Sequence, residues 1–439
     1  MKRLLFTFGI LLNLQVFAQQ PTALALSNEE KAILAYIDQN MPRAIALLKE
    51  TVDINSGTLN IEGVKKVGAI FTREFEKAKF KTEWISMPDS LKRAGHLVAT
   101  IGFDKKQKSP TAKKLFLIGH LDTVFEPDMP SSAFSMLNDS VATGQGVYDM
   151  KGGDVIMVIA LQALQQQGLL NNADIIAYLT GDEESSGRPR QVSRGHFMEA
   201  AQKTDVALGF ESAHGLNTIA TARRGSSSWS LKVSGKTGHS ASVFTESGGY
   251  GAIYEAARIV NAFRETLSSE KYLTFNPGLF VGGSEVDYQK SAAKASALGK
   301  TNIISPEALV TGDLRFLTEA QKMEARKTMT SIVQNNLAGT KATITFSDGI
   351  PSMEPTPGNR KLLEIISGVT NDLGLGPAIE GDPGSRGAGD VSYIAQFVDA
   401  VDGMGASGKG AHAPGETINL KEFPHLIKRA ALTIYRLTR

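Results

Sequence analysis

Short apolar runs recur along the chain: HLVATIG, KLFLIGH, DIIAYLTGDEE, DVALGFES and FVDAVDGMG. Each is nearly continuous in aliphatic and aromatic residues and too short for an ordinary helix, which is how strands buried on both faces read. Between them, residues 154 to 167, DVIMVIALQALQQQ, carry helical spacing and stop at Gly168, a residue suited to closing a helix. Strands alternating with helices in this way predict an α/β fold whose mostly parallel sheet is covered on both faces.

From about 223 to 348 the pattern changes. SSWSLKVSGKTGHSA alternates polar and apolar residues, the period of a strand with one face in water. A helix is expected at 249 to 264, strands at 273 to 281 and 307 to 316, a helix at 319 to 336 and a strand at 341 to 347. Two strand-helix-strand units side by side predict an inserted α+β domain with one open sheet face. The expected organisation is therefore a signal segment over 1–18, a catalytic domain over 19–222 and 349–439, and an inserted domain over 223–348.

Composition narrows the function. The chain has 439 residues, 42% hydrophobic and 21% charged, which suits a folded protein of two domains. Lys+Arg at 47 against Asp+Glu at 45 leaves a net charge of +2, so no basic field attracts nucleic acid. The N-terminus, MKRLLFTFGILLNLQVFAQQ, places Lys2 and Arg3 before an apolar stretch and a small-residue site at Ala18, the layout of a secretory signal peptide. Asn13 and Gln15 interrupt that stretch, and a spanning helix needs roughly 20 apolar residues, so no membrane attachment is expected after cleavage. A periplasmic or secreted protein is expected. It contains no cysteine, so a bound metal must rest on His, Asp and Glu.

The ends of the strands carry the candidate chemistry. LFLIGHLDT ends in His120 and Asp122, AYLTGDEES in Asp182, Glu183 and Glu184, and VALGFES in Glu211. GQGVYDMKGG sets Asp149 before a glycine-rich helix start, and GKGAHAPGE presents His412 from a glycine loop. A parallel sheet opens its binding crevice at the carboxyl ends of its strands. Any one of these carboxylates alone reads equally well as a helix cap or a solvated side chain. Imidazoles and carboxylates converging there read as a metal site, and five protein ligands with a shared aspartate hold two ions. The donor set suits zinc, with cobalt or manganese as alternatives. If both adjacent glutamates coordinated, no group would remain to move protons. Glu184 is therefore assigned to metal and Glu183 to general base.

Together the stretches GHLDTV, GQGVYDMKGG, TGDEESSG, GFES, GKTGHSA, TNIISPEALVTGDLR and GAHAPGE resemble the M20 family of metallopeptidases, most closely its glutamate carboxypeptidase branch. The resemblance implies a zinc-peptidase-like three-layer catalytic domain with an inserted ferredoxin-like dimerisation or lid domain. It implies His120 and Glu211 on one zinc, Glu184 and His412 on the other, and Asp149 between them, with a cis peptide after Asp149. It further implies Asp122 orienting His120, Glu183 activating a water, and a homodimer whose lid carries His239 to the partner's active site. Asn302 and Arg315 would lie near the polar end of the substrate.

One stretch departs from the branch. Its carboxypeptidases carry an arginine where the chain returns from the lid, and here FSDGIPSMEP places Asp348, Gly349 and Ile350. Arg315 and Arg386, the latter in PGSRGAGD, remain as guanidinium forks for a substrate carboxylate. Arg223 and Arg224, at the expected hinge, read as structural. The expected activity is a zinc-dependent carboxypeptidase releasing a C-terminal amino acid, glutamate among the candidates, from short peptides or N-acyl conjugates. An N-acyl-amino-acid deacylase or dipeptidase would use the same site, and a non-catalytic binding protein could keep the same fold.

Overall fold

A computed structural model describes residues 26–103 and 110–439. The expected signal peptide lies outside them. Among the described residues, no helix is long and apolar enough to cross a membrane.

The central sheet has six strands in the order Lys81–Ile85, His96–Ile101, Ile175–Thr180, Leu115–His120, Val206–Gly209 and Asp399–Val401. The last four run parallel, and the first two add an antiparallel edge. Leu115–His120 and Ile175–Thr180 are buried at every position, as their unbroken apolar runs require. On one face, helix Lys151–Gln166 packs between Asn28–Val52 and Phe423–Leu437. The other face is closed by Arg190–Ala201 and Val391–Ile394, where Phe197 meets Tyr178 edge-on at 5.0 Å between ring centroids. This is the expected three-layer α/β architecture with a mostly parallel sheet.

Between Gly225 and Asp348 the chain builds a second, antiparallel sheet in the order Thr274–Gly283, Glu307–Phe316, Gly225–Gly235 and Thr340–Asp348. Alternation sends Trp229, Leu231 and Val233 under helices Ala252–Leu267 and Glu319–Gln334 and leaves Ser228, Lys232 and Ser234 on the open face. A hairpin, Glu285–Gln289 with Lys294–Leu298, is an addition the sequence pattern did not announce.

Two helix starts differ from expectation. The helix expected at 249 begins at Ala252, because Gly249 and Gly251 adopt φ of +66° and +77°, outside helical space. The helix expected at 154 begins at Lys151 and runs through Gly152 and Gly153. A Cβ on Gly153 would stand 2.0 Å from the carbonyl oxygen of Phe210, so glycine lets the helix press against the strand-end segment that leads to Glu211.

A small antiparallel sheet completes the scaffold. Gly408–Lys409 pairs with Thr417–Asn419, which pairs with Val141–Thr143. The loop holding His412 is thereby laid beside the loop holding Asp149.

Candidate metal centre

Five chain segments meet at the carboxyl end of the central sheet. His120 is the last residue of its strand, Glu183 and Glu184 follow Ile175–Thr180, and Glu211 follows Val206–Gly209. The Asp149 carboxylate stands between two imidazoles. Its Oδ1 is 3.3 Å from His120 Nε2, and its Oδ2 is 3.2 Å from His412 Nε2. Glu211 Oε1 lies 3.6 Å from His120 Nε2, and Glu184 Oε2 lies 3.3 Å from His412 Nε2. Each imidazole thus has its own glutamate and shares the aspartate. Glu183 offers a carboxylate oxygen within 4.8 Å of ligand atoms of both His120 and Glu211. The peptide joining Asp149 to Met150 is cis, and His412 holds a left-handed backbone with φ of +63°.

The cluster has the properties of a cation site. His120 Nε2, Asp149 Oδ1 and Glu184 Oε1 are buried and complete no hydrogen bond, an arrangement that is costly unless another group engages them. Among the described residues, the carboxylates of Asp149, Glu184 and Glu211 have histidines, and no lysine or arginine, within ion-pair distance. Burial, together with the Asp149 charge, pushes Glu211 up to about 8. Burial, Glu211 and Asp390 hold Glu183 well above the ordinary carboxylate range. His412 rises as well, up to about 11, but through its bonds to Asp149 and Glu184, which favour its charged form. Imidazole nitrogen with carboxylate oxygen is a donor set that zinc, cobalt and manganese all accept. The residues fit a metal.

Supporting contacts set the geometry. His120 Nδ1 is 3.0 Å from the backbone oxygen of Asp122 and 3.5 Å from its carboxylate. The carbonyl of Asp122 is therefore the closer partner of the imidazole. The Asp122 carboxylate accepts from the Thr58 hydroxyl at 2.6 Å and from the backbone N–H groups of Glu183 at 3.0 Å and Glu184 at 3.1 Å. One aspartate thus fixes both the histidine and the glutamate pair. Glu416 does the same for the opposite wall, accepting the N–H of Tyr148 at 2.6 Å, Asp149 at 2.8 Å and Gly146 at 3.3 Å. Thr58 and Glu416 were missed in the sequence. Only the position of Glu416, four residues beyond His412 on one short loop, hinted at a shared task.

The remaining candidates separate into two groups. Arg386 is buried, and its guanidinium donates to the carbonyl of Ser212, next to Glu211. Burial and Arg223 hold its pKa below the ordinary arginine value. Arg315 points from the open face of the inserted sheet and pairs with Asp313 at 2.7 Å. Its guanidinium lies over Gly387, one residue from Arg386. His239 and Asn302 sit away from this group, at the far tip of the inserted unit. His239 is exposed, its Nδ1 accepts from the N–H of Ala241 at 3.2 Å, and Asn302 accepts from the N–H of Ser240. Arg223 is structural, its guanidinium held by Asp402 and the Gly387 carbonyl. Arg224 ties Gly384 to Thr274.

A cavity of about 950 Å³ adjoins the cluster, lined by Tyr148, Ser212, His214, Lys409 and Ala411, immediate neighbours of Asp149, Glu211 and His412. Its size suits a substrate of a few residues.

An α/β sheet with a paired imidazole–carboxylate cluster at its carboxyl end defines a metallohydrolase of the peptidase class. The chain belongs to peptidase family M20/M25/M40, whose family model matches residues 116–436. It is 26% identical over 417 residues to carboxypeptidase G2 of Pseudomonas sp. (strain RS-16), covering 94% of this chain and 93% of that protein. It is 24% identical over 413 residues to succinyl-diaminopimelate desuccinylase of Psychromonas ingrahamii, covering 90% and 98%. The fold is similar to the crystal structure of aminopeptidase PepT from Bacillus cereus ATCC 10987, with a TM-score of 0.72 at 18% identity over 91% of this chain and 99% of that one. The protein is an M20 metallopeptidase, an enzyme acting on amide or peptide bonds.

Proposed function

We propose that this enzyme is a two-zinc exopeptidase that releases the C-terminal amino acid, glutamate first among the candidates, from short peptides or N-acyl conjugates. The observation that carries this reading is the Asp149 carboxylate placed between His120 and His412, with Glu183 beside them and uncommitted to either imidazole. His120 and Glu211 would hold one ion, Glu184 and His412 the other, and Asp149 would serve both. Ions bound there act as Lewis acids toward the scissile carbonyl and bring the pKa of water toward neutrality. Glu183 takes the proton of the attacking water on its carboxylate and returns it to the leaving amine nitrogen. Asp122 holds Glu183 and Glu184 in place through their N–H groups. Arg386, whose guanidinium lies against Gly403 and the Ser212 carbonyl, and Arg315, whose guanidinium lies over Gly387, are the forks that receive a substrate carboxylate.

The reading extends to a homodimer formed through the inserted unit. Phe244 packs on Tyr250 and Tyr254 at 5.4 and 5.2 Å between centroids, yet Phe244 and Tyr254 remain 54% and 56% exposed, close in sequence to His239. An exposed aromatic group of this kind marks a protein contact. His239 then serves the substrate carbonyl of the partner's site. The basic and apolar N-terminus supports export to the periplasm or beyond. The relative that is a desuccinylase supports a second reading, removal of an acyl group from an amino acid by the same centre.

Zinc-loaded enzyme assayed on N-acyl amino acids and dipeptides, with released free amine as the readout, tests the proposal. Cleavage of glutamate conjugates over N-succinyl substrates is expected, and the reverse preference favours the deacylase. Glu183→Ala should abolish turnover while two metal equivalents remain bound. Loss of one equivalent in that variant would place Glu183 among the ligands and overturn its role as base.

A further inference from the structure

The back of the hinge holds a second charged cavity. It measures about 380 Å³ and is lined by Arg188, Arg190, Arg194, Tyr393 and Asp348, with Gly349. Asp348 shares its side of the inserted sheet with Ile344 and Phe346, the side covered by helix Glu319–Gln334. Arg315, at an odd position of strand Glu307–Phe316 whose even positions Val310, Leu314 and Phe316 are core, faces the opposite way. The cavity and the metal centre's arginine fork are therefore on opposite sides of that sheet.

Three features of the cavity ask for an anion. First, helix Arg190–Ala201 starts there with Pro189 as its N-cap, no side chain capping it and no acidic residue in its first turn. The N–H of Val192 is taken by the Pro189 carbonyl at 3.0 Å, and the positive dipole end is left for another acceptor. Second, the Tyr393 hydroxyl is buried in a residue 6% exposed, and the nearby Ser186 hydroxyl acts on it without completing a hydrogen bond. Arg190 Nε is likewise buried and unpartnered. Third, the charge balance is positive. Arg194 is consumed by Asp182 and Asp390, whereas among the described residues Arg188 and Arg190 meet no carboxylate within ion-pair distance, Arg190 Nη1 donating to the backbone oxygen of Asp348 at 3.5 Å. The one acid lining the cavity, Asp348, is engaged by Arg326 at 2.6 Å and Lys322 at 3.3 Å.

We propose that this cavity binds a small divalent oxyanion of the phosphate or sulfate type, held by the guanidinium groups of Arg188 and Arg190, the N-terminus of helix Arg190–Ala201 and the Tyr393 hydroxyl. Donors arriving from a loop, a helix end and a phenol surround a tetrahedral anion from several directions, whereas a single carboxylate would use only a planar pair. The anion would sit where the last strand of the inserted unit returns to the catalytic body, touching both, and so link the position of the lid to the presence of the ligand.

Equilibrium dialysis against radiolabelled inorganic sulfate, at low ionic strength, tests this on the full-length, metal-loaded enzyme. One saturable sulfate per chain is expected. Losing a charge-assisted hydrogen bond should weaken binding about tenfold in Arg190→Ala and further in Arg188→Ala/Arg190→Ala. Tyr393→Phe, which removes only the hydroxyl, should weaken it about threefold on the same scale. If the double variant does not fold, Arg188→Gln at an exposed side chain carries the test. His120→Ala should bind sulfate as the wild type does. Sulfate binding that vanishes in His120→Ala and survives in the arginine variants would locate the anion on the metal centre and overturn the proposal, as would an absence of saturable binding.

Discussion

The carboxylate of Glu416 accepts the backbone N–H of Asp149 at 2.8 Å, so the residue that stands between two imidazoles is itself held from behind by the loop that carries one of them. Because His412 and Glu416 share that loop, displacing it disturbs a ligand and the placement of the shared aspartate together. Glu416→Ala leaves the N–H groups of Tyr148 and Asp149 buried without an acceptor, at a cost of about 1–3 kcal/mol each. Metal affinity should fall about 10–100-fold, the usual effect of removing a group that supports a ligand. Glu416→Gln keeps one acceptor oxygen and should recover part of the loss. Competition with a chelator measures both, and unchanged affinity in the alanine variant would show that the contact is idle.

Asp122 supports the facing wall, and its side chain and main chain have separate jobs. Asp122→Ala keeps the carbonyl that faces His120 but removes the acceptor of Thr58 and of the Glu183 and Glu184 N–H groups. The damage should therefore fall on the glutamate pair, with kcat reduced about 10–100-fold. Asp122→Asn retains one oxygen and turns an N–H donor toward the other position, so it should sit between wild type and alanine. Steady-state kinetics beside metal analysis decides it, and an alanine variant with full kcat would remove Asp122 from the mechanism.

How far the sequence announced this site depends on the distance over which each signal acts. His120, Glu184 and Glu211 were legible because unbroken apolar strands must stop somewhere, and in a parallel sheet they stop on the same side. The juxtaposition of Asp149 with His412 is different. It depends on the pairing of Val141–Thr143 with Thr417–Asn419, two strands of three residues each, too short to leave any periodic trace. Glu416 was invisible for another reason, since an acid that accepts backbone N–H groups looks in sequence like any solvated glutamate. The hairpin over 285–298 was missed because its residues are largely exposed and its apolar alternation, Val286 and Tyr288 against Ala297 and Ala295, spans only two positions per strand. The inserted sheet was readable where alternation was strict, as in Gly225–Gly235. Helix boundaries slipped where glycines either ended left-handed turns or allowed close packing.

Stability at low pH should depend on Glu74, on the helix Ile61–Lys77. Its carboxylate is buried, which works against its charge, but Lys77 at 2.7 Å, Gln162 at 3.1 Å and Arg73 at 2.9 Å outweigh burial and bring it down to about 2. A carboxylate whose folded value lies below its ordinary 4.5 stabilises the fold fully above about 4.5, and that contribution is lost as pH falls toward 2. Glu74→Gln should consequently lower Tm at pH 7, with the gap to wild type narrowing between pH 4.5 and 2. Thermal melts across that window provide the check. A gap that stays constant with pH would mean that packing, and not charge, explains the loss.

The proposed sharing of the active site between subunits rests on His239, and it has a sharp test. Within one chain His239 is exposed at the tip of the inserted unit, and among the described residues its ring bonds only to the N–H of Ala241 in its own loop. A histidine so placed is open to a substrate held by another subunit. If it donates to the carbonyl oxygen of a substrate in the partner's site, His239→Ala should lower kcat by about 100-fold, the scale set by losing one donor to a developing oxyanion. Metal content should not change, because no ligand is touched. Mixing His239→Ala with Glu183→Ala then separates the two arrangements. In a mixed dimer, the site on the chain retaining Glu183 receives the intact His239 of the Glu183→Ala chain, while the other site lacks both groups. Activity should return toward half that of a wild-type dimer, in proportion to the fraction of mixed dimers measured with differently tagged subunits. A mixture in which exchange is complete and no activity returns would show that His239 acts within its own chain or outside catalysis altogether.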